Sequence, residues 1–208
     1  MDEKTLQSLL KWPDVPDCFG WLALDRRGHW RMRNEYAQAN KLPGSIVEHQ
    51  PLNNYISRNY VRDPLGRYFF QNGAQRVFIT LDTSPWIVRI NQTPDGTQIQ
   101  TQCESIFEPK SALSDELGNI YIVGLTSVNI LRESSPPSFI QKTELTVGLL
   151  HDHDLGLFAE CAKIQEQACS FGGSWSWHDQ ILALEPVHSK ELSEQFQFEK
   201  NPKPITKY

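Results

Sequence analysis

The run VGLLHDHDLGLFAEC, residues 147–161, sets His151, Asp152, His153 and Asp154 in unbroken alternation between two apolar stretches. Imidazoles combined with a carboxylate suit zinc or iron. If the run is extended, period two puts both histidines on one face and both aspartates on the other. A metal site here would use His151, His153 and Asp154, with His178 of SWHDQ folding back as a further ligand. Such a site would serve a metal-dependent hydrolase. The competing expectation is a polar turn whose Asp154 caps a helix beginning at Leu155. Aspartate is a favoured cap, and the apolar periodicity starts directly after it. The sequence favours the cap, because adjacent His and Asp letters alone rarely close a site.

A second constellation combines arginine with aromatic and amide side chains. Arg26, Arg27, Trp30, Arg31, Arg58, Asn59, Tyr60, Gln71, Gln75 and Arg76 cluster in the first part of the chain, on expected hairpins and a short helix. Guanidinium groups recognise carboxylate and phosphate by paired, planar hydrogen bonds. These ten residues are candidates for holding a small anionic ligand or an acidic protein surface. The alternative is solvated strand faces with guanidinium groups stacked on aromatic rings. Charge distribution sharpens the question. Residues 21–90 hold nine arginines and Lys41 against five acids, a net of +5. Residues 91–208 hold eight basic residues against sixteen acids, a net of -8. Attraction between the two parts would account for that asymmetry as well as an external anion. A whole-chain charge of -5 and a pI near 5.7 weigh against a nucleic-acid partner.

Other chemistries lack their signatures. There is no G-x-S-x-G, P-loop or G-x-G-x-x-G pattern. Cys18, Cys103, Cys161 and Cys169 show no C-x-x-C spacing and read as free, mostly buried thiols. No cofactor is expected, and the balance leans from enzyme toward a binding or regulatory module. The acidic start MDEKTLQSLLKW resembles no secretory signal, and no apolar run approaches the ~18 residues of a membrane span, so a cytoplasmic location is expected.

The elements that must carry these residues are mostly hairpins. A helix is expected over DEKTLQSLLKW with Asp2 as cap, and a short one over PLNNYISRNYVRD. DRRG turns a hairpin whose return strand alternates Trp30 and Met32 with His29, Arg31 and Arg33. Asn72-Gly73 predicts a type I′ hairpin, and Pro94-Asp95-Gly96 another turn. LGLFAECAKIQEQACS fits an amphipathic helix with Leu157, Cys161, Ile164 and Ala168 on one face. FGGSWSW reads as an aromatic loop, HSKELSEQFQF as a short helix and EKNPKPITKY as an extended tail. Phe196, Phe198 and Tyr208 of this region could dock on a partner or on a second copy in a homodimer. No internal repeat is evident.

The segments GWLALDRRGHWRMR, ISRNY and GRYFFQNGAQRVFITLD carry a resemblance. From Trp21 to Arg89 the chain resembles an uncharacterised bacterial family of similar length. Its layout is also similar to a second bacterial family of unknown function, from which QNGAQR departs. The resemblance implies two small domains, an α+β roll and then a mainly β roll, and no known activity. The expected fold class is therefore α+β, with antiparallel hairpins and short helices. Residues 1–90 would form an α+β domain with Arg-rich hairpins. Residues 91–208 would form an acidic β-rich domain with a late helix and an extended tail.

Overall fold

The computed structural model describes residues 2–12, 14–94, 96–132, 134, 137–167 and 170–205. Helix α1 (Glu3–Lys11) buries Thr5 and Leu9. Strands β1 (Cys18–Leu24) and β2 (Trp30–Met32) form the first hairpin. Helix α2 (Glu35–Ala39) follows, capped by the Asn34 carboxamide, which accepts from Ala37 N at 2.9 Å. After β3 (Ser45–Ile46) comes α3 (Gln50–Arg58), with a proline in its first turn where no N–H is missed. The Asp2 carboxylate does not cap α1. It accepts from Arg58 at 3.1 and 3.3 Å and from Asn59 Nδ2 at 3.2 Å, tying the start of the chain to the end of α3.

Strands then dominate: β4 (Tyr60–Arg62), β5 (Tyr68–Asn72), β6 (Gln75–Leu81), β7 (Trp86–Thr93), β8 (Gly96–Thr101), β9 (Phe107–Ser114), β10 (Ile120–Arg132) and β11 (Ser138–Leu150). Helix α4 (Leu155–Glu160), strands β12 (Ala162–Gln167), β13 (Ser170–Trp177) and β14 (Gln180–Pro186), and helix α5 (Leu192–Gln195) complete the chain. The fold is mixed α+β with strands in the majority, as expected. Among the described residues, all fourteen strands join one sheet rather than two clearly separate ones. Its path runs β12-β13-β14-β9-β10-β4-β5-β6-β1-β2-β3, and β11 links β10 to the β7–β8 hairpin. Neighbours in sequence pair antiparallel, whereas β1 with β6, β4 with β10, β7 with β11 and β9 with β14 pair parallel. Residue 90 lies inside β7, and β4 and β7 hydrogen-bond to strands beyond it.

Four turns share one hydrogen-bond pattern: 25–29, 63–67, 101–105 and 115–119. In each, the first residue's N–H donates to the fifth carbonyl, and the fourth N–H returns to the first carbonyl. The first side chain accepts from the third and fifth N–H groups, with Asp25, Asp63 and Asp115 as acceptors in three copies and Thr101 in the other. The fourth residue has positive φ: Gly28, Gly66, Glu104 and Gly118. This is a type I turn followed by a left-handed residue, a common hairpin closure. The chain thus repeats one turn device without any accompanying sequence repeat. D-x-x-G marks three copies, and TQCE conceals the fourth.

The β5–β6 turn also differs from expectation. Asn72 pairs with Gln75, so the central residues are Gly73 and Ala74, and only Gly73 has positive φ. That is the II′ pattern, with glycine first. The helix expected over 155–170 stops at Glu160. AKIQEQ, in which Ala162 and Ile164 alternate with Lys163 and Gln165, pairs in register with β13, which contains the expected aromatic loop, so cross-strand pairing overrides the helical spacing. Cys161 is consequently exposed, contrary to the expectation of buried thiols, while Cys18 and Cys103 are half-buried.

One large core unites the chain from Leu22 and Trp30 through Trp86 and Tyr121 to Trp175 and Phe198. Trp30, Tyr60, Tyr68 and Trp86 form a connected aromatic group with centroids 5.1–6.0 Å apart. Each fully buried side chain of this size contributes about 1.5–3 kcal/mol of transfer free energy. The C-terminal segment is pinned to this body. Glu199 N donates to Gly66 O at 3.0 Å and Leu81 N to Lys200 O at 2.8 Å. Phe198 is buried and Phe196 packs on the core, so neither is an exposed docking group. Tyr208 lies outside the described residues.

Candidate functional site

The HDHD run begins where β11 ends. His151 N donates to Val88 O at 3.0 Å, continuing the parallel pairing with β7. The chain then tightens into a 3-10 turn over Asp152–Asp154. His151, not Asp154, supplies the cap: its Nδ1 accepts from His153 N at 3.1 Å. Asp154 is buried and makes no cap bond to α4. Its carboxylate instead accepts from Arg89 Nε at 2.6 Å, Arg89 Nη2 at 3.1 Å and Ile90 N at 3.0 Å. The expected helix cap is therefore replaced by an anchor between the turn and β7.

The turn brings His151, Asp152 and His153 together, with one ligand atom from each lying within 4.8 Å of the others. The two imidazoles meet edge to face at 4.6 Å. His151 is buried, whereas Asp152 and His153 are exposed, so the cluster has a protein wall and an open side. His151 Nδ1 lies 2.9 Å from Asp152 Oδ1 while also facing His153 N–H. One ring nitrogen carries either a proton or a lone pair, so it can satisfy only one of these neighbours. Burial, followed by the charge of Arg89, holds His151 below the ordinary imidazole range, which disfavours the proton. A cation shared by Nδ1 and Oδ1 would satisfy both acceptors by taking the lone pair that otherwise receives the His153 N–H. Metal bonds of about 2.0–2.1 Å place two ligands of one ion roughly 3 Å apart. Of the residues expected to ligate, His151 and His153 are together and Asp154 serves Arg89. His178 stands at the β13–β14 turn, its ring 4.7 Å from Trp177, outside the cluster. Asp152, the third member, was hidden by the assumption of extended backbone.

The arginines are largely occupied by the protein itself. Arg27 Nη2 is 3.4 Å from Asp152, Arg62 reaches Glu144 at 2.9 Å and Arg89 binds Asp154. These three pairs join the basic first part to the acidic second part. Arg26 donates to Asn119 Oδ1 at 2.7 Å, docking one repeated turn on another. Arg31 binds Asp25 at 2.6 Å and Gly44 O at 3.0 Å, Arg58 binds Asp2, and Arg76 lies over the Phe69 ring. Asn59, Tyr60 and Gln71 are buried. Asn59 bonds Tyr55 O, Tyr60 bonds Pro85 O and Gln71 bonds Gly73 O. Gln75 reaches Pro16 O at 3.2 Å.

Two candidates, Trp30 and Arg58, do share a cleft of about 300 Å³ between α3 and the turns at 25–29 and 101–105. Ser57 and Cys103 line it too, and burial pushes the Cys103 thiol up to about 12. Asn53 also lines it. Its Nδ2 donates to Val47 O, and its buried Oδ1 has no donor among the described residues. The turn at 25–29 thus borders this cleft through Gly28 and the histidine cluster through Arg27. Among the described residues, no helix is long and apolar enough to cross a membrane.

Comparison with known proteins gives a family of unknown function. No curated protein matches the chain. A crystal structure of a DUF1285 family protein from Silicibacter pomeroyi DSS-3 is similar at 14% identity and a TM-score of 0.40, over 82% of this chain and 83% of that one. A family model described as "Protein of unknown function (DUF2946)" matches residues 1–203, and the chain belongs to that family.

Proposed function

We propose that the chain binds a divalent transition metal through His151, Asp152 and His153 and acts as a metal-dependent hydrolase. The convergence of two imidazoles and a carboxylate within 4.8 Å carries this reading. Three protein ligands with an open side are the pattern of catalytic rather than structural zinc, whose remaining position takes water. The metal's contribution would be to lower the pKa of that water toward neutrality. The polypeptide supplies the rest. Val88 O holds the His151 backbone, and the Arg89–Asp154 pair fixes the turn against β7. A second reading, an anionic ligand or acidic partner on the arginine-rich surface, draws support from the exposed guanidinium groups of Arg27 and Arg58. It is the weaker one as a separate site, because both Asp2 oxygens already hold Arg58, and Arg27 stands beside the histidine cluster.

The test is elemental analysis of protein purified without a His tag or chelators, followed by a panel of ester substrates. Near-stoichiometric zinc, iron or manganese is expected. Metal content and hydrolysis should fall together in His151→Ala and His153→Ala. Protein that takes up no metal when offered zinc would overturn the proposal.

A further inference from the structure

We infer that the metal site accepts a phosphate monoester and that Arg27 binds its phosphoryl oxygens. This rests on the metal reading above and adds the substrate class. The argument begins with charge. Arg27 and Arg89 flank the turn, and Asp152 and Asp154 face them. These four charges cancel, and the histidines add none when neutral. A divalent ion would leave a local charge of about +2, and a phosphate monoester carries about -1.5 to -2 at neutral pH.

Geometry then separates the two guanidinium groups. Arg89 is held by both oxygens of buried Asp154, so it contributes field and position. Arg27 makes one long contact, 3.4 Å to Asp152 Oδ2, and its side chain is 57% exposed. A guanidinium has five N–H donors in a rigid fork, so most of Arg27's donors remain for an anion. The backbone delivering them is fixed, because Asp25 Oδ1 accepts from Arg27 N at 2.9 Å. Asp152 links the two components: Oδ1 faces His151, and Oδ2 faces Arg27. An anion beside the ligand set is therefore within reach of Arg27. In hydrolysis the oxygen of water would bond to phosphorus as the ester P–O bond breaks. One water proton would pass to the departing alkoxide, leaving an alcohol and inorganic phosphate.

The experiment uses the full chain, zinc and inorganic phosphate. Calorimetry first measures zinc binding to the native protein, Arg27→Ala and Arg27→Lys. Phosphate is then titrated into zinc-loaded and zinc-free samples, with acetate as the monoanionic control. Phosphate should bind only the zinc-loaded native protein, and more tightly than acetate. Arg27→Ala should weaken phosphate at least tenfold while zinc affinity stays within threefold, and Arg27→Lys should recover part of the loss. Equal phosphate affinity in Arg27→Ala would overturn the inference, as would equal affinity in zinc-free protein. Acetate binding as tightly as phosphate would refute the substrate class. Zinc uptake without any phosphate binding would sink this inference alone. No zinc uptake would remove the metal reading and this inference together.

Discussion

The turns at 25–29 and 63–67 have the same backbone and opposite surroundings. Asp63 and Arg67 have side chains only 3% and 9% exposed, paired at 2.7 Å, with the guanidinium 4.5 Å from the Phe78 ring centre. The C-terminal segment covers this turn, and Glu199 N bonds Gly66 O. The 25–29 turn is also tied together by its aspartate, but it holds Arg26 and Arg27 outward, against Asn119 and Asp152. One local motif therefore serves as a core clamp in one place and as a platform for charged side chains in the other. The surroundings decide which: Asp63 and Arg67 close on each other beneath the C-terminal segment, while the exposed second and third residues only set what the turn displays. Pro64 and Leu65 follow Asp63, whereas two arginines follow Asp25.

Removing the aspartates should split the two turns most widely. Asp63→Ala strands a buried guanidinium and is expected to cost about 3–5 kcal/mol. Asp25→Ala, at a more solvated site, should cost about 1–2 kcal/mol for its lost hydrogen bonds. Urea unfolding measures both, and equal losses would break the comparison. Glycine at the fourth position gives a finer version. A Cβ on Gly66 would overlap the Gln197 carbonyl, whereas one on Gly118 meets open space. Both have φ near +80°, so Gly118→Ala should cost about 1 kcal/mol of backbone strain and Gly66→Ala about 3 kcal/mol.

Histidine substitutions sharpen the functional side. His153→Ala should weaken zinc binding at least tenfold, about 1.4 kcal/mol, whereas His29→Ala in the neighbouring turn should leave it unchanged. Calorimetric titration with zinc decides this. The Asp2–Arg58 pair is solvent-exposed, and Arg58→Ala should lower stability by no more than about 1 kcal/mol. Thiol reactivity gives the smallest perturbation. At pH 8, Cys161 should alkylate readily in the folded protein, while half-buried Cys103, its thiol held up to about 12, should react far more slowly until the chain unfolds. Peptide mapping after iodoacetamide treatment checks both sites.

Much of the local structure was legible in the sequence. Alternation revealed the strands, and DRRG and DELG carried their turn chemistry. The capacity of His151 and His153 to ligate metal follows from residue type alone. The misreadings share a cause. Ala162 and Ile164 alternate with Lys163 and Gln165, so AKIQEQ fits a strand as well as the continuation of a helix, and only pairing with β13 chose between them. Asp154 looked like a cap because its partner, Arg89, lies 65 positions away.

The sequence by itself determined the α+β class, the hairpin turns, the chemistry available at HDHD and the opposition of a basic first part to an acidic second. These depend on short-range sterics, hydrophobic periodicity and side-chain type. Only the tertiary structure decided that Asp152 rather than Asp154 joins the two histidines. It also directed the arginines largely onto the chain's own carboxylates and carbonyls, and joined both parts in one sheet. Those outcomes depend on which distant groups meet. A buried carboxylate takes the guanidinium that packing brings to it, and a strand takes whichever edge the fold leaves open.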